Sequence, residues 1–181
     1  MPATPPVNPP PLPGQVTRRV LALSRINGWG VAGFALLSAL ASLIRTDLLI
    51  VGWCMLAAAS GFMELHGRGR LALGKPAGVG WMIAAQFWLL AAITCYVWLR
   101  WTEFEATAFW DSLPALAQNE VNRQLAAAGI GEGERPAFLA YLNAAICLSL
   151  LLTSLVYQGG LALYYAFKLR AVRNEIASPG A

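Results

Sequence analysis

The side chains best suited to chemistry form a short charged cluster at the end of an apolar run: Glu64, His66, Arg68 and Arg70. A carboxylate at the edge of a hydrocarbon layer is costly unless it is paired. Glu64 is therefore a functional candidate, which would take up a proton or bind a cation in a transporter. The structural alternative is an ion pair with Arg68, four residues later, which is the favourable order on a helix. The sequence favours this ion pair, because Glu64 lies only about one turn from the expected interface.

Haem and zinc sites are not expected. His66 is the only histidine, so the chain offers no second imidazole, and we interpret it as an interfacial polar residue. The three cysteines, Cys54, Cys95 and Cys147, lie inside apolar runs without metal-ligand spacing. The sequence predicts neither a metal site nor a cofactor.

Two glutamines, Gln86 and Gln158, are the polar residues deepest in the apolar runs. Each lies about nine residues from the same expected membrane surface, which is roughly 13 Å at the rise of an α-helix. Because the two side chains share a depth, the sequence predicts a hydrogen bond between their helices. A polar permeation path would need more such groups, so we favour a contact between helices over a pathway.

Long apolar runs must position these residues. Apolar types make up 57% of the chain and charged types 12%, roughly half the charged share of a soluble protein. Such a chain has too little polar surface to stay in water. The sequence predicts an all-α membrane protein, a four-transmembrane-helix bundle with a short amphipathic helix in the outer loop.

The second apolar run is the shortest. It is uncharged only from Leu48 to Met63, where roughly twenty residues are needed, so Glu64 must lie at or just inside the membrane boundary. The expected segments are a proline-rich disordered tail (1–14), a basic interfacial segment (15–25), a first span (26–44), a second span (48–66), a basic loop (67–76), a third span (77–99), an acidic outer loop (100–136) with a helix near 114–128, a fourth span (137–167) and a tail (168–181).

Basic residues indicate the orientation. In this topology nine of the thirteen Lys and Arg residues fall on the side of the two termini and four on the other side. The positive-inside rule then places both termini in the cytoplasm. Eleven arginines against two lysines, with abundant Ala and Gly, indicate a GC-rich bacterial genome, so we expect the bacterial inner (plasma) membrane.

Catalytic and nucleic-acid-binding functions are not expected. The sequence shows no nucleophile–base arrangement, no phosphate-binding glycine loop and no interleaved basic and aromatic residues. Arg68 and Arg70 are candidates for an anionic lipid headgroup, although an orientation signal is the stronger interpretation. We expect an accessory or scaffolding protein in the lipid bilayer, with a membrane protein partner or a second copy. The alternative is a small transporter or channel with Glu64 as the coupling residue.

Overall fold

The computed structural model describes residues 14–177, and this part of the chain is helical without a β-strand. Apart from Gly14, the predicted proline-rich tail lies outside the described residues, as do the last four residues of the predicted tail 168–181. In chain order the elements are α1 (Gln15–Ile44), α2 (Leu48–Ala72), α3 (Ala77–Thr102), α4 (Ala106–Asp111), α5 (Ala115–Ala127), a 3-10 turn (Glu132–Glu134) and α6 (Arg135–Ala177).

Four segments within residues 14–177 are long and apolar enough to cross a membrane: α1, α2, α3 and Glu132–Ala177, which is α6 with the turn before it. For the described residues, this confirms the prediction of an all-helical fold with four helices that are long and apolar enough to span a membrane. The helices can be longer than a bilayer is thick. Helix α6 alone has 43 residues and is therefore about 65 Å long.

The long helices extend beyond the apolar runs. Residues 15–25 form the first turns of α1. Helix α2 continues to Ala72, so the connection to α3 is shorter than the predicted loop 67–76. Helix α6 also continues through most of the predicted tail. In each case the extension packs on a neighbouring helix: Val20, Leu71 and Val172 are all buried in one apolar cluster.

Local signals end the helices where the chain turns. Asp47 is the N-cap of α2, and its side chain accepts a hydrogen bond from the Ile50 N–H at 3.2 Å. At the other end of α2, Gly74 has a φ of 73°, a left-handed conformation that costs glycine little. The chain can therefore reverse within a few residues and begin α3.

The described residues fall into two compact units. Unit one consists of residues 14–90 and 157–177, and unit two of residues 91–156. In unit one the helices approach closely through glycines. A Cβ atom on Gly61 would lie 2.7 Å from the backbone of α1, and one on Gly67 would lie 2.6 Å from the Gly78 carbonyl oxygen on α3. Such contacts suit membrane helices, which associate mainly through close packing.

Unit two contains α4, α5 and the adjoining parts of α3 and α6. The Arg135 guanidinium lies 4.3 Å from the centre of the Trp110 ring. The Gln118 amide donates to the Trp110 carbonyl oxygen at 3.0 Å, which ties α5 to α4. Leu125 is the buried residue of α5.

The beginning of α1 is capped by a residue from the end of α6. Glu175 accepts hydrogen bonds from the Thr17 hydroxyl at 2.6 Å and from the backbone N–H groups of Thr17 and Val16 at 3.1 and 3.3 Å. Burial would raise the pKa of Glu175, but these hydrogen bonds outweigh it and hold the pKa below its usual 4.5. Glu175 lies beyond the uncharged run 137–167 and the basic residues that follow it, Lys168, Arg170 and Arg173.

Glu175→Ala is expected to fray the first turns of α1 and to cost about 1 kcal/mol, as for loss of a helix cap. Hydrogen exchange of the Val16 and Thr17 amides measures the effect, with exposed Asn174→Ala as the control. Because the folded pKa is lowered, the stabilisation is present above pH 4.5 and is lost as the pH falls through the folded pKa. Exchange that is equally slow in Glu175→Ala would contradict the capping role.

Candidate functional site

Glu64 is the centre of a buried polar network in unit one. Only 1% of the residue is exposed. Its Oε2 atom accepts hydrogen bonds from Asn27 Nδ2 at 2.5 Å and Gln86 Nε2 at 2.9 Å. Its Oε1 atom accepts from the Tyr165 hydroxyl at 2.5 Å. Both carboxylate oxygens are therefore engaged.

A fifth residue extends the network, because the Tyr157 hydroxyl donates to Asn27 Oδ1 at 3.0 Å. We call these five residues the Glu64 network. Asn27 belongs to α1, Glu64 to α2, Gln86 to α3, and the two tyrosines to α6. Every long helix thus contributes at least one side chain to a single hydrogen-bonded group.

Helical periodicity and close packing place these side chains together. Gln86 continues the buried stripe of α3 that includes Val79 and Met82, at helical spacing. Gly61 lies one turn before Glu64 and packs against the backbone of Gly28 and Ala32. Since α1 and α2 touch there, Asn27 comes within reach of the carboxylate.

The chemistry of the network is that of a carboxylate held by neutral donors. A carboxylate only accepts hydrogen bonds, and two amides and a phenol supply three. A hydrogen bond to a charged group contributes about 1.5–3 kcal/mol, so three of them offset much of the cost of burying the charge. Neutral hydrogen-bond donors, and not an oppositely charged side chain, therefore stabilise this carboxylate.

The predicted ion pair between Glu64 and Arg68 is wrong. Within residues 14–177, the ion pairs are Arg123–Glu120 and Arg135–Glu132. Arg68 instead donates from Nε to the Leu21 carbonyl oxygen at 3.3 Å. Glu64 and Arg68 are one turn apart on α2, but they have different partners. Amide and phenol donors contact Glu64, whereas Arg68 contacts a backbone acceptor on α1.

The predicted hydrogen bond between Gln86 and Gln158 is also wrong. Gln86 gives its amide N–H to Glu64, since a carboxylate is a stronger acceptor than another amide. The Oε1 atoms of both glutamines are buried and have no hydrogen-bond partner in the described part of the chain. Both residues are at least nine-tenths buried.

The other predicted residues lie outside the network. His66 is exposed on α2, and its ring lies edge-on to Trp81 with the centroids 5.1 Å apart. The Arg70 Nε atom is buried without a partner among the described residues. Residues 14–177 contain no group of three or more His, Cys, Asp or Glu side chains that would hold a metal ion.

Sequence reasoning missed Asn27, Tyr157 and Tyr165. Asn27 follows Val20 and Ser24 at helical spacing, but only the structure shows that all three are buried. Tyr165 lies near the end of the fourth apolar run, a position typical of aromatic residues at a membrane interface, yet its exposed fraction is 0%. Nothing in the local sequence distinguishes it from its neighbour Tyr164, which is only partly buried.

Comparison with protein families, with curated proteins and with solved structures finds no match for this chain. The class of the protein therefore rests on its own architecture. Four long apolar helices and a carboxylate buried among them are the features of an integral membrane protein.

Proposed function

We propose that the chain is an accessory or scaffolding subunit of a membrane assembly, without enzymatic activity. In this proposal it is a four-transmembrane-helix bundle in the bacterial inner membrane, with both termini in the cytoplasm. Residues 100–136 then lie on the outer side and present α5 as a short amphipathic helix. The partner is another membrane protein or a second copy of the chain.

The Glu64 network is the observation that carries the proposal. Glu64 is enclosed and hydrogen-bonded to residues of the three other long helices. A scaffold needs such a fixed arrangement, because its partners bind a surface whose shape must not change. Hydrogen bonds between helices are one of the interactions that hold membrane proteins together.

Unit two supplies a candidate contact point for the partner. Leu116 on α5 is 85% exposed, on a helix that also carries exposed Asn119, Glu120 and Arg123. A large apolar side chain surrounded by polar ones is typical of a small protein–protein contact.

Photo-crosslinking tests the scaffolding proposal in native membranes. A photoreactive residue at Leu116 is expected to give one defined adduct, with a second protein or a second copy, whereas the same residue at exposed Ala127 gives much less of it. Equal and diffuse labelling from both positions would contradict a partner site on α5. Ion- or proton-coupled flux by the purified chain in proteoliposomes would contradict the accessory role itself.

A small transporter or channel with Glu64 as the coupling residue is the second candidate. Two observations favour it: in the described part of the chain no cation pairs with Glu64, and the buried Oε1 atoms of Gln86 and Gln158 have no donor. A protonated carboxyl needs an acceptor, and a bound cation needs oxygen ligands. Flux that is lost in Glu64→Gln would establish this function, whereas the scaffold predicts no flux from either protein.

A further inference from the structure

A basic recess lies on the surface of unit one between α1 and α2. It has a volume of about 590 Å³, and the residues that define it here are Arg18, Leu21, Arg25, Ile26, Trp29 and Arg68. On α1, Arg18, Leu21, Arg25 and Trp29 follow one another at intervals of three or four residues, and Ile26 lies beside Arg25, so these residues share one face of that helix. Arg68 joins them from α2, where its hydrogen bond to the Leu21 carbonyl oxygen fixes its position.

Three arginines line this recess, and no acidic residue does. None of the three arginines takes part in an ion pair within residues 14–177. Since no acidic residue of the lining balances these three positive charges, a bound anion would stabilise the arrangement. Guanidinium groups are well suited to phosphate, which they bind through paired N–H donors.

The apolar members of the basic recess indicate the rest of the ligand. Ile26 is 73% exposed and Trp29 60% exposed, and they continue the same face of α1 from Arg25 toward the centre of the membrane-spanning stretch. The recess is therefore cationic at one end and apolar at the other. A soluble phosphate would use only the first end, whereas a phospholipid uses both.

We propose that the basic recess is a binding site for an anionic phospholipid. The phosphate headgroup lies between Arg18, Arg25 and Arg68, and the beginning of an acyl chain lies along Ile26 and Trp29. Arg70, which the sequence also suggested, is not among the residues that line the recess. The site is separate from the Glu64 network and does not depend on the proposed scaffolding role.

Titration of the delipidated full-length protein with phosphatidylglycerol, followed by native mass spectrometry, tests the site. Arg18→Gln and Arg25→Gln are each expected to weaken binding about fivefold, since a basic residue near an anionic lipid contributes about that factor. Arg19→Gln is the matched control, because Arg19 is exposed on the same turn of α1 but does not line the recess. Arg68 is left unchanged, because its backbone contact also supports the packing of α1 on α2.

Two further titrations identify the ligand. Phosphatidylcholine is expected to bind more weakly than phosphatidylglycerol to the wild type and equally to all variants. Inorganic phosphate is expected to compete poorly, because it lacks an acyl chain. An equal loss in Arg19→Gln would show a diffuse charge effect, and efficient competition by inorganic phosphate would show a soluble-anion site. Either result would overturn the proposal.

Discussion

Glu64→Ala is expected to be among the most destabilising single substitutions in this chain, with a loss of about 3 kcal/mol or more, because three buried donors lose their acceptor. It removes the common acceptor of Asn27, Gln86 and Tyr165, and each of these buried donors then lacks a partner. An unsatisfied buried donor costs about 1–3 kcal/mol. Reversible unfolding in mixed detergent micelles, followed by tryptophan fluorescence, measures the loss.

Glu64→Gln is the matched comparison for this prediction, because it keeps the shape of the side chain. Its carbonyl oxygen can accept from Asn27 and Gln86, while its amide can donate to the Tyr165 hydroxyl oxygen. We expect a clearly smaller loss than in Glu64→Ala. Equal stability of the alanine variant and the wild type would show that the Glu64 network does not hold the helices together.

Gly78→Ala is expected to destabilise the packing of α2 against α3 by about 1–3 kcal/mol, the usual cost of overpacking. The added Cβ would meet the carbonyl oxygen of Gly67 and lie 2.7 Å from the backbone nitrogen of Leu71. Backbone atoms cannot rotate away as a side chain does, so the two helices must separate. The expected loss arises although alanine is the better helix former by about 1 kcal/mol.

Gly80→Ala is the control for Gly78→Ala, since it lies two residues further along the same helix and has open space around it. There the gain in helix propensity is unopposed, so the same unfolding measurement should show equal or higher stability. If the two alanine variants were equally stable, the close approach of α2 and α3 would contribute nothing measurable.

The four membrane-spanning helices could be predicted because their signal is local. Each apolar run covers most or all of the thickness of a bilayer, and no partner elsewhere in the chain is needed to identify it. The positions of Gln86 and Gln158 along their helices could also be counted from the helix ends, but their burial could not, since Phe87 beside Gln86 is 60% exposed.

The partners of Glu64 could not be predicted in this way. They lie 37, 22 and 101 residues away along the chain, and which helix faces meet depends on packing that no local pattern encodes. The four-residue spacing to Arg68 was a local signal, and it gave the wrong partner. In the structure, three neutral hydrogen-bond donors contact the Glu64 carboxylate, in place of the Arg68 guanidinium that the spacing had suggested.

The glycines also show that a local sequence pattern does not reveal which residues lie at helix contacts. Gly61 and Gly78 contact neighbouring backbone, whereas Gly30, Gly52 and Gly80 have no atom within 4 Å of an added Cβ. All five lie within the long helices, and their sequence surroundings are similarly apolar. Only the arrangement of the helices separates a glycine that permits close packing from one that does not.

A double-mutant cycle between Glu64→Ala and Tyr165→Phe tests most directly whether the buried carboxylate joins the long helices. Tyr165→Phe removes only the hydroxyl that donates to Glu64 across 101 residues of chain. Our account predicts that the double variant loses less stability than the two single losses combined, with a coupling of about 0.5–3 kcal/mol. Strict additivity of the two losses would contradict it.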